Sequence, residues 1–113
     1  MLFRVSIPFE FVAGGVHLSP GDYSAFHETP NLIRLMREDG RANAWIAVKA
    51  SPVTANEHIN QLVFNKYGDR YFLAKVQTGH DQQVHECFRC RGEQTIAAQY
   101  RGTGTKTVAI AAK

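Results

Sequence analysis

The chain has 113 residues, 44% hydrophobic and 20% charged, with a formal net charge of +3 at neutral pH. That length fits a single domain, 1–113, able to bury roughly two-thirds of its unfolded surface, and the composition excludes a disordered chain. No apolar run approaches the roughly 20 residues of a membrane-spanning helix, and two cysteines are too few for a disulfide-built scaffold.

The first segment alternates. Phe3, Val5, Ile7, Phe9 and Phe11 occupy odd positions, with Arg4, Ser6 and Glu10 between them, and this period of two predicts a half-buried strand. Pro8 lacks an N–H and predicts an edge or a bend between two shorter strands. Gly14-Gly15 separates that run from Val16-His17-Leu18. A glycine pair between apolar runs predicts a hairpin turn, because such turns need positive φ. A phosphate-binding loop would need further glycines, a Lys-Ser or Lys-Thr and a following helix, and none follows.

Ser19-Pro20-Gly21-Asp22 predicts a type II turn. A strand from Tyr23 is broken by Pro30-Asn31. "LIRLMR" and "ANAWIAVKA" flank Asp39-Gly40, which predicts a two-residue hairpin turn. Residues 51–58 are polar and turn-rich and read as a loop. "INQLVFNKYGDRYFLAKVQT" is the clearest hairpin, with Gly68-Asp69 at its tip, Leu62 and Phe64 alternating on one strand and Phe72, Ala74 and Val76 on the other. Residues 79–92 lack periodicity. Gly92–Tyr100 is expected to form a short helix with Ile96, Ala97 and Tyr100 on one face, and "KTVAIAAK" a final strand. Short strands and tight turns without long βαβ spacings predict an all-β fold. The expected form is a small antiparallel barrel-like sandwich of seven or eight strands, with one short helix near the C-terminus.

"IPFEFVAGGVHLSPGDY" and "LVFNKYGDRYFLAKV", in this order and spacing, resemble an uncharacterised family of small all-β bacterial proteins of acidobacterial type. Members carry an Ile/Val-Pro-Phe-Asp/Glu-Phe start, a Gly-Gly, a Leu-Pro-x-Gly-x-Tyr turn and a Tyr-Gly-Asp-Arg-Tyr-Phe-Leu hairpin. The matches cover about a third of the chain. The resemblance implies an exported origin, since family members often follow a leader, and it implies no particular chemistry. Two departures stand out: the turn proline falls one place late, at Pro20, and "HDQQVHECFRC" replaces a segment typically rich in Arg, Glu and Lys.

That segment holds the one constellation with chemistry in it. His80, His85, Cys87 and Cys90 lie within eleven residues, and imidazole and thiolate are the preferred ligands of zinc. The spacing is not that of a common zinc finger, and the second Cys-x-x-Cys that would make the signal strong is missing. Redox chemistry would need a helix N-terminus and a βαβ context. A Cys87–Cys90 disulfide, or a plain loop with both histidines at the surface, are the remaining readings. His27-Glu28, Glu57-His58 and His85-Glu86 are sequence neighbours, which on a strand point to opposite faces and so are no evidence of acid–base pairs.

Charge is unevenly spread. Residues 1–65 hold five Lys/Arg against six Asp/Glu, and residues 66–113 hold eight against four. Lys66, Tyr67, Arg70, Tyr71 and Lys75 cluster around the hairpin tip, but so small a basic excess disfavours nucleic acid as a partner. No catalytic motif is present. The sequence therefore points to a non-enzymatic binding or interaction module, whose partner is a second copy or another protein. The alternatives are a zinc protein using residues 80–90 and an enzyme of unrecognised class. An exported or periplasmic location is expected if a leader precedes Met1, and a cytoplasmic one otherwise.

Overall fold

A computed structural model describes residues 3–52, 60–78, 83–88, 91–99 and 106–112. Ten strands and one helix follow in chain order: β1 (Phe3–Ile7), β2 (Phe11–Ala13), β3 (Val16–Leu18), β4 (Gly21–Thr29), β5 (Leu32–Arg37), β6 (Asn43–Pro52), β7 (Gln61–Tyr67), β8 (Arg70–Thr78), β9 (Gln83–Cys87), α1 (Arg91–Gln99) and β10 (Lys106–Ala111). The fold is all-β with one C-terminal helix, as the sequence predicts, although with more strands than the seven or eight expected.

The strands pair in the order β1-β4-β5-β6-β9-β8, and β8 continues to β7 and then β10. β6 turns the corner between two layers: Asn43–Ala47 pairs with β5, and Val48–Pro52 pairs with β9. Extents of 36 × 36 × 23 Å describe a flattened body, as expected of two sheets packed about 10 Å apart. The expected barrel is not closed. β1 and β10 approach each other at the two ends of the path, yet no ladder joins them among the described residues.

The alternation of the first segment is realised in full. β1 buries Phe3, Val5 and Ile7 and exposes Arg4 and Ser6. Pro8 ends it, so that β1 pairs with β4 while β2 pairs with β3 and, in parallel through Val12 and Phe72, with β8. Gly14 and Gly15, at φ 58 and 80, form the turn between β2 and β3. Gly14 is needed twice over, because a Cβ there would run into the carbonyl oxygen of Trp45.

Several local expectations need correcting. Gly21 is nearly extended, at φ 159, and opens β4 opposite Ile7, so Ser19–Asp22 is not a type II turn. Its place is held by Tyr23, whose hydroxyl donates to the Ser19 carbonyl at 2.6 Å. Asp39-Gly40 is not a two-residue turn. The Arg37 N–H donates to the Ala42 carbonyl at 2.9 Å, closing a longer loop in which the Asp39 carboxylate accepts the Arg41 N–H. Asp39 is drawn into a local side-chain turn, which competes with the tight hairpin.

Ser51 and Pro52, expected in a loop, end β6 opposite Val84 and Gln83; 53–58 lies outside the described residues. On the β7–β8 hairpin, Leu62, Phe64 and Val76 enter the main core, but Phe72 faces outward. The register shifts there, with Phe64 opposite Leu73 and Val63 opposite Lys75. The extra residue, Ala74, makes a bulge that inverts the faces beyond it.

The main core contains the fully buried Val5, Tyr23, Ile33, Leu35, Leu62 and Phe64. Phe11 packs edge-on to both Tyr23 and Phe64, and Phe9, at the Pro8 bend, stacks on Tyr71 at 3.8 Å. A second cluster lies outside the β7–β8 hairpin, where α1 lays Ile96 and Ala97 on Val12, Tyr67 and Phe72. The helix spans nearly the expected residues; Tyr100 lies outside the described ones.

Candidate functional site

The outward face of β4, β5 and β6 carries the most distinctive exposed group of side chains. Strand alternation turns Ala25, Leu35 and Ala44 into the core, so Phe26, Arg34 and Trp45 point outward. They form one row: Phe26 is opposite Arg34, and Arg34 is opposite Trp45. The Arg34 guanidinium lies 4.6 Å from the Phe26 ring centroid and 5.6 Å from that of Trp45. Its Nε donates to Glu28 at 2.8 Å. Cation–π contacts and a carboxylate thus fix the guanidinium in place.

Trp45 is the only tryptophan of the chain and is 52% exposed. Phe88, 65% exposed, extends the same face. Its N–H donates to the Ala47 carbonyl at 3.2 Å, two residues along β6 from Trp45. The Gly14 turn abuts the Trp45 backbone from the side away from Arg34. Trp and Arg dominate the energetics of protein interfaces, and here both are preorganised on a rigid sheet. The sequence reading missed this row because register, not spacing, assembles it. The only available signal was Trp45 within an alternating strand.

His85 and Cys87 are the two expected zinc residues that the structure places. His80 and Cys90 lie outside the described residues. His85 and Cys87 share one face of β9, opposite Ala50 and Val48. His85 is fully buried rather than at the surface, and its ring meets His27 of β4 across the core, with centroids 4.9 Å apart. Cys87 makes no disulfide among the described residues. Burial, reinforced by the Glu93 carboxylate, pushes its thiol pKa up to about 12. In the metal-free chain at neutral pH it is therefore held as the thiol rather than the more nucleophilic thiolate. Among the described residues no three His, Cys, Asp or Glu side chains group as metal ligands do.

Glu93, in the first turn of α1, is buried. Its Oε2 accepts from Tyr67 Oη and Asn65 Nδ2, both at 3.0 Å. It borders a cleft of about 290 Å³ with Cys87, Lys75 and Glu86. A second cleft, of about 250 Å³, has Glu10, His17, Asp69 and Arg70 in its wall. Both fall just below the roughly 300–1,000 Å³ of typical small-molecule sites. The tyrosines of the hairpin tip are occupied within the protein: Tyr67 is buried against Phe72 and Tyr71 is stacked on Phe9.

No protein-family model, curated protein or solved structure matches the chain. No helix of the described residues is long and apolar enough to cross a membrane.

Proposed function

We propose that the chain is a non-enzymatic interaction module that works through the Trp45 face, with a second copy of itself as the partner. The observation that carries this reading is Trp45, half exposed beside an Arg34 already clamped by Phe26 and Glu28. Covering the exposed half of a tryptophan side chain, about 100 Å², contributes about 2–3 kcal/mol. Phe88 adds to this, and little ordering cost opposes it because the strands are rigid. A two-fold contact would set this face against its own copy.

Trp45 is also the only intrinsic tryptophan probe, so its emission reports on this face alone. Emission should shift to the blue from low to high micromolar protein, in step with dimer formation in sedimentation. Trp45→Ala and Phe88→Ser should sediment as monomers with unchanged circular dichroism. A wild-type chain that stays monomeric at high micromolar concentration, or a Trp45→Ala variant that still dimerises, would overturn the proposal.

A further inference from the structure

We propose that His27 and His85 are the protein ligands of a divalent transition-metal site, of zinc type, at one end of the core. The two imidazoles come from β4 and β9, which are not neighbours in the sheet, so no ladder obliges them to meet. Their centroids lie 4.9 Å apart with the rings inclined at 67°. Two imidazoles sharing a tetrahedral ion, each bonded at about 2.0–2.1 Å, hold their centroids about 5 Å apart.

The two partners divide the requirements of a site. His85 is fully buried and fixed by pairing on both sides, to Ala50 and Val76, which preorganises one ligand. His27 is exposed, which gives the ion a way in and leaves positions for water or an exogenous donor. The register of β4 against β5 shifts between His27 and Thr29, and such bulges re-aim side chains next to functional sites. The pair assigns the partner of His85 to a residue far away in sequence, in place of the thiols of the 80–90 run.

The test is calorimetric titration of the untagged, chelator-stripped chain with zinc chloride at neutral pH, with thermal melts in parallel. Wild type is expected to bind one equivalent and to melt higher in zinc, since a ligand that prefers the folded state stabilises it. His27→Ala replaces an exposed residue and should keep the circular dichroism of wild type. It should lose about tenfold or more in zinc affinity, together with the rise in melting temperature. Cys87→Ser and Cys90→Ser should bind as wild type does. Absence of zinc binding by wild type, or a His27→Ala chain that binds zinc like wild type, would overturn the proposal. Affinity lost on replacing Cys90 but kept on replacing His27 would place the metal on the 80–90 run and overturn it equally.

Discussion

Cys87 and the two turn glycines show how single residues carry measurable consequences. The Cys87 thiol stays protonated in the folded chain up to about pH 12, whereas its ordinary value is 9.0. Above pH 9 the unfolded chain gives up that proton and the folded one keeps it, so unfolding is favoured as pH rises. The stability that Cys87 contributes is whole below pH 9 and is lost progressively between pH 9 and about pH 12. Tyr23, raised chiefly by burial and partly offset by Arg37, acts with the same sign. In a Cys90→Ser background, urea midpoints should fall from pH 8 to pH 10.5 more steeply than in the further variant Cys87→Ala. The native thiol should also react slowly with dithionitrobenzoate at pH 8. Equal slopes with and without Cys87 would refute the assignment. The glycines differ from each other in kind. Gly15→Ala meets only an unfavourable φ, since nothing lies within 4 Å of its Cβ position, and should cost about 1 kcal/mol. Gly14→Ala adds a collision with the Trp45 carbonyl and should cost clearly more, because the β2–β3 hairpin must lift from β6. Denaturant melts of the two variants decide this, and equal losses would mean that the contact with β6 contributes nothing.

At the scale of elements, α1 is held by a buried polar anchor as well as by apolar packing. It is a nine-residue helix, too short to be stable alone. It is held by Ile96 in the outer cluster and by Glu93, which receives Tyr67 and Asn65. Glu93→Ala leaves two inward-facing donors without that acceptor and should cost about 2 kcal/mol or more. It should also raise amide exchange across 91–99 above that of β7, and unchanged exchange there would show that apolar packing alone docks the helix. Such an anchor was not legible in the sequence, where Glu93 reads as a favourable first-turn acid. β9 was missed for a related reason. Its inward positions are His85 and Cys87 rather than two apolar residues, so "QVHEC" shows no hydrophobic period. What makes it a strand is two-sided pairing, with β6 and β8, which local propensity does not encode. Conversely, β1, the β2–β3 turn and the β7–β8 hairpin were legible because alternation and glycine placement are local. The Ala74 bulge was not, since an extra residue in a strand leaves no compositional mark. The Phe26–Arg34–Trp45 row was invisible for the same reason as β9: three residues on three strands become a site only when register is known.

For the molecule as a whole, the open path between β1 and β10 is the feature with the largest consequence. Eight strands run β1-β4-β5-β6-β9-β8-β7-β10, each antiparallel to the next, and a single further ladder would close them into a barrel. The closure expected from sequence rests on strand count and turn spacing, which specify neither the tilt nor the stagger that a barrel requires. Here the layers flatten instead, leaving β1 and β10 each paired on one side only among the described residues. Unpaired edges invite association with other chains, and charged side chains discourage it; Arg4 on β1 and Lys106 on β10 are exposed. Amide exchange measures the opening directly. In β8, Lys75–Thr78 is flanked by β7 or β9 ladders and should exchange only through large-scale unfolding. In β1 and β10, alternate amides face the gap and should exchange much faster than the intervening ones, which donate to β4 and β7. Dimerisation through the Trp45 face leaves this alternation intact, because that face lies on the outer surface of the sheet and not at its edge. Uniform protection along both β1 and β10 at concentrations where the chain is monomeric would mean that the ladder forms and the barrel closes in solution.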